Sequence, residues 1–348
     1  RRVLFRSIPK YRLPLDTLDS EIQFIKDLGV HFVFNTSVGK DITLEELERD
    51  YHKVIIAIGA HKDVMLNIEG NHLEGVISGM DFLKDVSKGV DPNIGKNVVV
   101  IGAGNVAIDA ARTAHRFGAE VTVVYRRLKS DMPANKDEIK EAEIEGVNYL
   151  FLSNPKEILA DVNDRVRGIE LTKMNCGDID LSNRRKPVPT GESFIIGCDT
   201  VIMAVGEEVE APFIKEFGIK VHSDGTIYAD HFTFETNHPK VYAIGDAVTG
   251  PATAAEAMGI AKKAAEMIDY KLMNKRRFHK LFRGFDYSND VPLKPEGGNR
   301  HYSIKRPLEE RIGNFKEINL GYSREQAYAE ASRCLRCDVR VTVNNEEE

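Results

Sequence analysis

The sequence predicts an α/β fold, and three observations carry that prediction. Runs of β-branched residues closed by glycine, Lys53–Ile58 before Gly59 and Thr200–Val205 before Gly206, read as strands buried on both faces. Helical apolar spacing alternates with these runs. Residues 97–125 read in order as strand, glycine turn, helix and strand, a βαβ unit. Composition agrees: 348 residues with 42% hydrophobic and 29% charged side chains are an ordinary globular balance. The length suggests about two domains and an extension. A net charge of −6 argues against nucleic acid as the main partner. No apolar run approaches the roughly 20 residues of a membrane-spanning helix. No signal peptide is readable, and 4 cysteines in so long a chain exclude a disulfide-stapled secreted scaffold, so a cytoplasmic location is expected.

The elements follow in order. Arg1–Ser7 fits nothing after it and is expected to be a non-native leader, since a common sequencing-adaptor DNA encodes the same residues in one frame. Leu15, Leu18, Ile22, Ile25 and Leu28 recur at helical spacing between Pro14 and Gly29. His31–Phe34 reads as a strand. Thr43 and Glu46 are spaced as a capping box opening a helix to Tyr51. A helix over Met80–Lys88 precedes a boundary at Pro92 and Gly95. After the βαβ unit come a helix at Lys136–Glu145 and strands near Tyr149, Val166–Leu171 and Phe194–Ile196, with a polar loop at Asn183–Pro189. Val241–Ile244 leads into Gly245-Asp246. A small-residue helix runs from Ala252 to Lys271, and a polar tail carries one late helix, Ser323–Leu335.

Gly102-x-Gly104-x-x-Ala107 lies between strand and helix, the setting in which this spacing marks a dinucleotide site. Gly102 permits the tight turn, Gly104 lets a pyrophosphate approach the backbone, and Ala107 lets the helix pack on the strand. Asn105 and Val106 complete the turn. Asn105 either positions the nucleotide or caps the helix. The helix N-terminus offers unpaired N–H groups to phosphate. Where an NAD site places a carboxylate, the second strand ends in Arg126 and Arg127. Guanidinium groups bind a 2′-phosphate that a carboxylate would repel, so NADPH is the expected dinucleotide. The plainer reading of this pair is a solvated strand end.

IPKYRLPLDTLDSEI (8–22), KVIIAIGA (53–60), VVVIGAGNVAIDAARTAHRFGAEVTVVYRR (98–127), DMPA (131–134), TVIMAVG (200–206) and VYAIGDAVTGPATAAEAMGIAKKAAEMI (241–268) resemble the glutamate synthase small-subunit (beta-chain) family. Those proteins are FAD- and NADPH-dependent oxidoreductases. The resemblance implies two Rossmann-like dinucleotide-binding domains. An NADPH domain (96–206) is inserted into an FAD domain split between 8–95 and 207–272, and 273–348 forms a C-terminal tail. KVIIAIG and TVIMAVG then mark the crossings between domains, with Gly206 at the second. Asp246 would hold a ribityl hydroxyl of FAD, Gly245 would allow close approach, and Pro251, Ala252 and Thr253 would face the flavin. Without the resemblance, Gly245-Asp246 reads equally as a β-turn. Hydride would pass from nicotinamide to flavin, and electrons on to Fe–S clusters, possible [4Fe–4S] centres of a full-length parent, and a partner subunit. The family's opening cysteine region and first GxGxxG have no counterpart before Ile8. The chain is therefore expected to be N-terminally truncated and to hold flavin poorly.

Cys334-x-x-Cys337 supplies two thiols: either a partial metal site completed elsewhere or an inert helix-end pair. Cys176 and Cys198 are isolated, and no redox CxxC lies between residues 96 and 206. His115 reads as a surface or packing residue. Arg12 reads as a domain-contact or flavin-region residue, or as a surface ion pair. The alternatives to an electron-input enzyme are a non-catalytic NADP(H)-binding scaffold or sensor, and a reductase acting without any partner.

Overall fold

A computed structural model describes residues 7–180, 184–210, 212–273 and 299–333. The elements run α1 (Leu15–Asp27), α2 (Leu44–Asp50), β1 (Val54–Ile56), β2 (Lys62–Asp63), β3 (Val76–Ser78), α3 (Gly79–Lys88), β4 (Asn97–Ile101), α4 (Asn105–Arg116), β5 (Glu120–Tyr125), α5 (Lys136–Ile144), β6 (Asn148–Phe151), β7 (Ser153–Ala160), β8 (Val166–Ile179), β9 (Arg185–Gly197), β10 (Thr200–Met203), β11 (Glu207–Glu208), α6 (Pro212–Glu216), β12 (Val241–Ala243), α7 (Asp246–Thr249), α8 (Ala254–Met273), β13 (Ile304–Lys305), β14 (Asn319–Gly321) and α9 (Arg324–Ser332). The fold is α/β, as the alternation predicts.

Its largest sheet is parallel throughout, in the order β3-β10-β4-β5-β6. Strand alternation splits the side chains of β4 between two layers. Val98 and Val100 pack against Phe82, Leu83, Ala107, Ile108 and Ile139 of the helices. Val99 and Ile101 pack against Ile158, Ile169 and Leu171 of the antiparallel β7-β8-β9 sheet. With both faces covered, β4 is apolar at every position after Asn97, which is why the run reads as continuous valine and isoleucine. β3 pairs with β10, so residues 76–78 belong to the sheet that carries the glycine turn.

A second core gathers Ile56, Val241 and Ala243 of the parallel pair β1·β12 with Leu44, Ile214 and Ile227. The capping box at α2 is present: the Glu46 N–H donates to Thr43 Oγ1, and the Thr43 N–H to Glu46.

Two expectations are corrected. His31–Phe34 is not a strand: β1 pairs with β12, no described strand offers this segment a ladder, and Val33 and Phe34 are exposed. The stretch Asn183–Pro189 is not a loop throughout, because β9 starts at Arg185 and extends a long hairpin with β8. Its outer part pairs Met174 with Pro189 and Cys176 with Pro187. Solvent meets both faces of such a ribbon, so no apolar alternation announces it. Residues 1–6 and the Cys334–Cys337 pair lie outside the described residues, whereas Ser7 is buried.

Candidate functional site

A cleft of about 770 Å³ opens at the C-terminal ends of β4, β5 and β10, where ligands bind in open parallel sheets. Gly102, Gly104, Asn105, Val106, Arg126, Arg127, Gly206, Pro251, Ala252 and Thr253 all line it. Residues nominated from segments far apart in sequence thus share one cavity. Ala107, Gly245 and Asp246 do not line it.

The glycine turn is built by close packing. Gly102 has φ +128°, and a Cβ there would lie 2.0 Å from the Ala204 carbonyl oxygen. Neighbouring strand backbone therefore forces glycine at this position. Gly104 is different: its backbone is extended, and a Cβ would meet nothing within 4 Å. Its missing side chain leaves open space at the start of α4. Ala107 is fully buried in the helix–sheet contact. No side chain caps α4, and its first hydrogen bond runs from the Ile108 N–H to the Gly104 carbonyl. The amides of Asn105, Val106 and Ala107 therefore have no acceptor within the helix. Gly104, not Asn105, holds the N-cap position. The Asn105 side chain accepts instead from the Asn135 N–H at 2.9 Å.

The two arginines at the end of β5 face different surroundings. Arg126 is exposed and makes no hydrogen bond or ion pair with a described residue. Arg127 is buried: it donates to Asp180 at 2.5 Å and to the Arg185 carbonyl at 2.7 Å, tying the β8–β9 hairpin to the strand end.

On the other wall, Thr253 and Glu256 form a box that caps α8. The Glu256 N–H donates to Thr253 Oγ1 at 3.2 Å, while the Thr253 N–H and hydroxyl donate to Glu256 at 2.9 and 2.7 Å. Gly245 holds φ +65° with ψ −154°, a region essentially reserved for glycine. It starts the short helix α7, so Gly245-Asp246 is a helix start rather than an isolated β-turn. Burial raises the Asp246 carboxyl above its ordinary range, against a hydrogen bond from the Ala252 amide. Asp246 Oδ1 is buried without a partner among the described residues. An orphaned acceptor at this position suits a hydroxyl donor and fits the FAD ribityl chain.

Sequence reasoning missed three charged cleft-lining residues, Arg184, Glu207 and Glu256. Burial, and then the neighbouring Asp63 and Asp246, raise the Glu207 carboxyl. Its signal was its place directly after Gly206. Arg184 gave only a basic stretch inside what read as a loop.

Arg12 lies elsewhere. Its guanidinium bridges both Asp109 oxygens at 2.7 Å and lies 3.3 Å from Glu138, joining the N-terminal segment to α4 and α5. His115 Nδ1 lies 3.1 Å from the Ala119 carbonyl, a packing role. Cys198 is buried and its thiol is pushed up to about 12 by burial, while Cys176 is exposed; both are free thiols.

Among the described residues no helix is long and apolar enough to cross a membrane. The profile of the pyridine nucleotide-disulphide oxidoreductases matches residues 14–261. The chain is 39% identical over 344 residues to the beta subunit of an NADP(+)-dependent formate dehydrogenase from Moorella thermoacetica, covering 95% of this chain and 48% of that one. It thus spans about half the length of that relative. A putative NADPH glutamate synthase small chain from Cereibacter sphaeroides is 34% identical over 77% of this chain and 68% of its own. The fold resembles Mycobacterium tuberculosis FprA, solved in complex with NADPH, at a TM-score of 0.63 and 24% identity over 80% of this chain and 76% of that one. By the length of the profile match and these relatives, the chain belongs to the pyridine nucleotide-disulphide oxidoreductase family.

Proposed function

We propose that this chain is the electron-input part of an FAD-dependent oxidoreductase that takes hydride from NADPH and delivers electrons to a partner subunit. The observation that carries the reading is the shared cleft: the uncapped glycine turn, Arg126 and the flavin-side segment Pro251–Thr253 line one cavity. The nucleotide lies with its pyrophosphate over Gly104 and the first amides of α4, where open space and the helix dipole favour anions. Arg126 meets the 2′-phosphate as a charge-assisted donor. Asp246 accepts a hydroxyl of the FAD ribityl chain, and Gly245 lets that chain approach. FAD, when bound, supplies the hydride acceptor and releases electrons one at a time. The relatives named as beta subunits support a partner subunit as the recipient, and Fe–S centres on the electrons' route are part of the same reading. A cytoplasmic location accompanies it.

Calorimetry with NADPH and NADH tests the donor. NADPH binds more tightly, and Arg126→Ala weakens NADPH by roughly 10-fold or more while leaving NADH unchanged. Tighter binding of NADH would overturn the assignment. The flavin-loaded protein is expected to be yellow and to reduce an artificial dye with NADPH. A colourless protein that binds NADP+ and reduces nothing would instead be a scaffold or sensor.

A further inference from the structure

Two carboxylates line the cleft, Glu207 and Glu256, and they differ in what holds them. Glu256 is engaged by the Thr253 N–H and hydroxyl, which keep its carboxyl below the usual range. Glu207 is half-buried, and its carboxylate makes no hydrogen bond or ion pair with a described residue. The backbone fixes where it stands. The Gly206 carbonyl accepts from the Val64 N–H at 3.0 Å, and β11 pairs Glu207 with Asp63 and Glu208 with Lys62 of β2. Glu208 has the Lys62 ammonium at 3.8 Å, whereas Glu207 lines the cleft. Burial raises the Glu207 carboxyl, and Asp63 and Asp246 raise it further. A half-buried carboxyl with acidic neighbours and no donor from the chain suits a ligand that brings its own N–H.

The order of the strands says which end of the dinucleotide meets it. Across the C-terminal ends of the sheet, β5 leads to Arg126, β4 to the glycine turn, and its other neighbour β10 to Gly206-Glu207. A 2′-phosphate at Arg126 and a pyrophosphate at Gly104 leave the nicotinamide for the β10 side, facing Pro251–Thr253.

We infer that Glu207 receives the nicotinamide carboxamide, its carboxyl accepting a hydrogen bond from the amide NH2. The inference rests on the NADPH reading of the cleft and deepens it: the nicotinamide end has its own polar anchor. A carboxamide held there fixes the rotation of the ring about its glycosidic bond. It thereby sets which face the ring turns toward the flavin-side wall.

The test is calorimetry of this chain with NADP+, its 3-acetylpyridine analogue, NAD+ and 2′,5′-ADP, with thermal melting of each variant as the folding control. The analogue keeps the cationic ring but carries a methyl group in place of the amide NH2, so it lacks the donor. The parent should bind NADP+ roughly 10-fold more tightly than the analogue. Glu207→Ala should weaken NADP+ by about the same factor and leave the analogue and 2′,5′-ADP unchanged, which abolishes the discrimination. Glu207→Gln keeps an acceptor oxygen at the same reach and should restore most of it. If the parent prefers NAD+, the NADPH reading itself fails. If the parent prefers NADP+ and Arg126→Ala loses that preference, while Glu207→Ala binds NADP+ as the parent does, only the carboxamide contact is refuted. Equal losses for NADP+ and the analogue, or a matching loss of 2′,5′-ADP, would refute it too. Should Glu207→Ala fail to fold, Glu207→Met, which keeps the length and lacks both oxygens, takes its place.

Discussion

Two glycines of one motif show how differently the same residue type can be constrained. At Gly102 the constraint comes from the protein: the left-handed φ and the Ala204 carbonyl leave no room for a Cβ. At Gly104 it comes from outside, since the backbone is extended and the space beyond is open. Gly102→Ala must displace the Ala204 backbone just after β10 and is expected to lower stability by about 3 kcal/mol, in the range of strained backbone and overpacked cores. Gly104→Ala should change stability by less than about 1 kcal/mol, because any residue adopts its conformation. It should nevertheless weaken dinucleotide binding at least 10-fold, roughly the effect of one lost charge-assisted contact. Chemical denaturation and nucleotide titration of both variants check the pair. A stable Gly102→Ala protein, or a Gly104→Ala protein with undiminished binding, would contradict this division.

At the scale of elements, a buried ionic cluster joins the two ends of the described chain to the nucleotide-binding helix. Glu145, just after α5, accepts from Arg112 and Arg116 of α4 and lies 3.3 Å from Arg311. Arg311 also donates to Glu141 at 2.6 Å, and Lys305 donates to the same carboxylate. The Arg116 guanidinium stacks 3.7 Å over the Tyr11 ring, and the Ile318 N–H donates to the Tyr11 carbonyl. The YRLP segment and residues 304–318 thereby brace the back of α4, opposite the cleft. Glu145→Ala removes a carboxylate shared by three buried arginines; Arg112 keeps Glu138 and Arg311 keeps Glu141, while Arg116 loses its acidic partner among the described residues. It should cost about 3–5 kcal/mol, the range for breaking a buried ion pair from one side. Denaturation midpoints of Glu145→Ala and Glu145→Gln measure it, and a loss below about 1 kcal/mol would mean that Glu138 and Glu141, already paired with Arg112 and Arg311, suffice to hold the cluster. None of this was readable from local sequence. The βαβ unit was, because its pattern is fixed by contacts among neighbours in the chain: β4, α4 and β5 fall where the valine runs and the glycine turn put them. The cluster, the hairpin and the Arg127–Asp180 tie depend on residues far apart, and no periodicity encodes such pairings. The apolar run at 31–34 failed for a related reason. Strand propensity needs a partner ladder, and the described chain supplies none.

For the whole molecule, the same brace sets how stability depends on pH. Burial pushes the Asp109 carboxyl up to about 6, against the pull of Arg12. Its folded value thus lies above its unfolded one near 3.8. The folded state holds this proton more tightly than the unfolded state. The stabilisation from protonated Asp109 is therefore complete below about pH 4 and is lost as pH rises through about 6. Glu145 works in the opposite sense. Burial alone would raise it, but hydrogen bonds from Arg112 and Arg116 hold it down at about 2. Its contribution is complete above its ordinary value of 4.5 and is lost as pH falls toward 2. The two groups together favour mildly acidic solution. Asp109→Asn removes the first dependence, so the decline in stability between pH 4 and 6 should flatten in that variant while the acid limb below pH 4.5 stays. Urea denaturation of parent and variant across pH 3–7 reads both limbs. An unchanged slope between pH 4 and 6 in Asp109→Asn would show that Arg12 keeps Asp109 ionised throughout. The N-terminal segment would then be held on α4 by a permanent ion pair instead of one that weakens as the carboxyl takes up a proton.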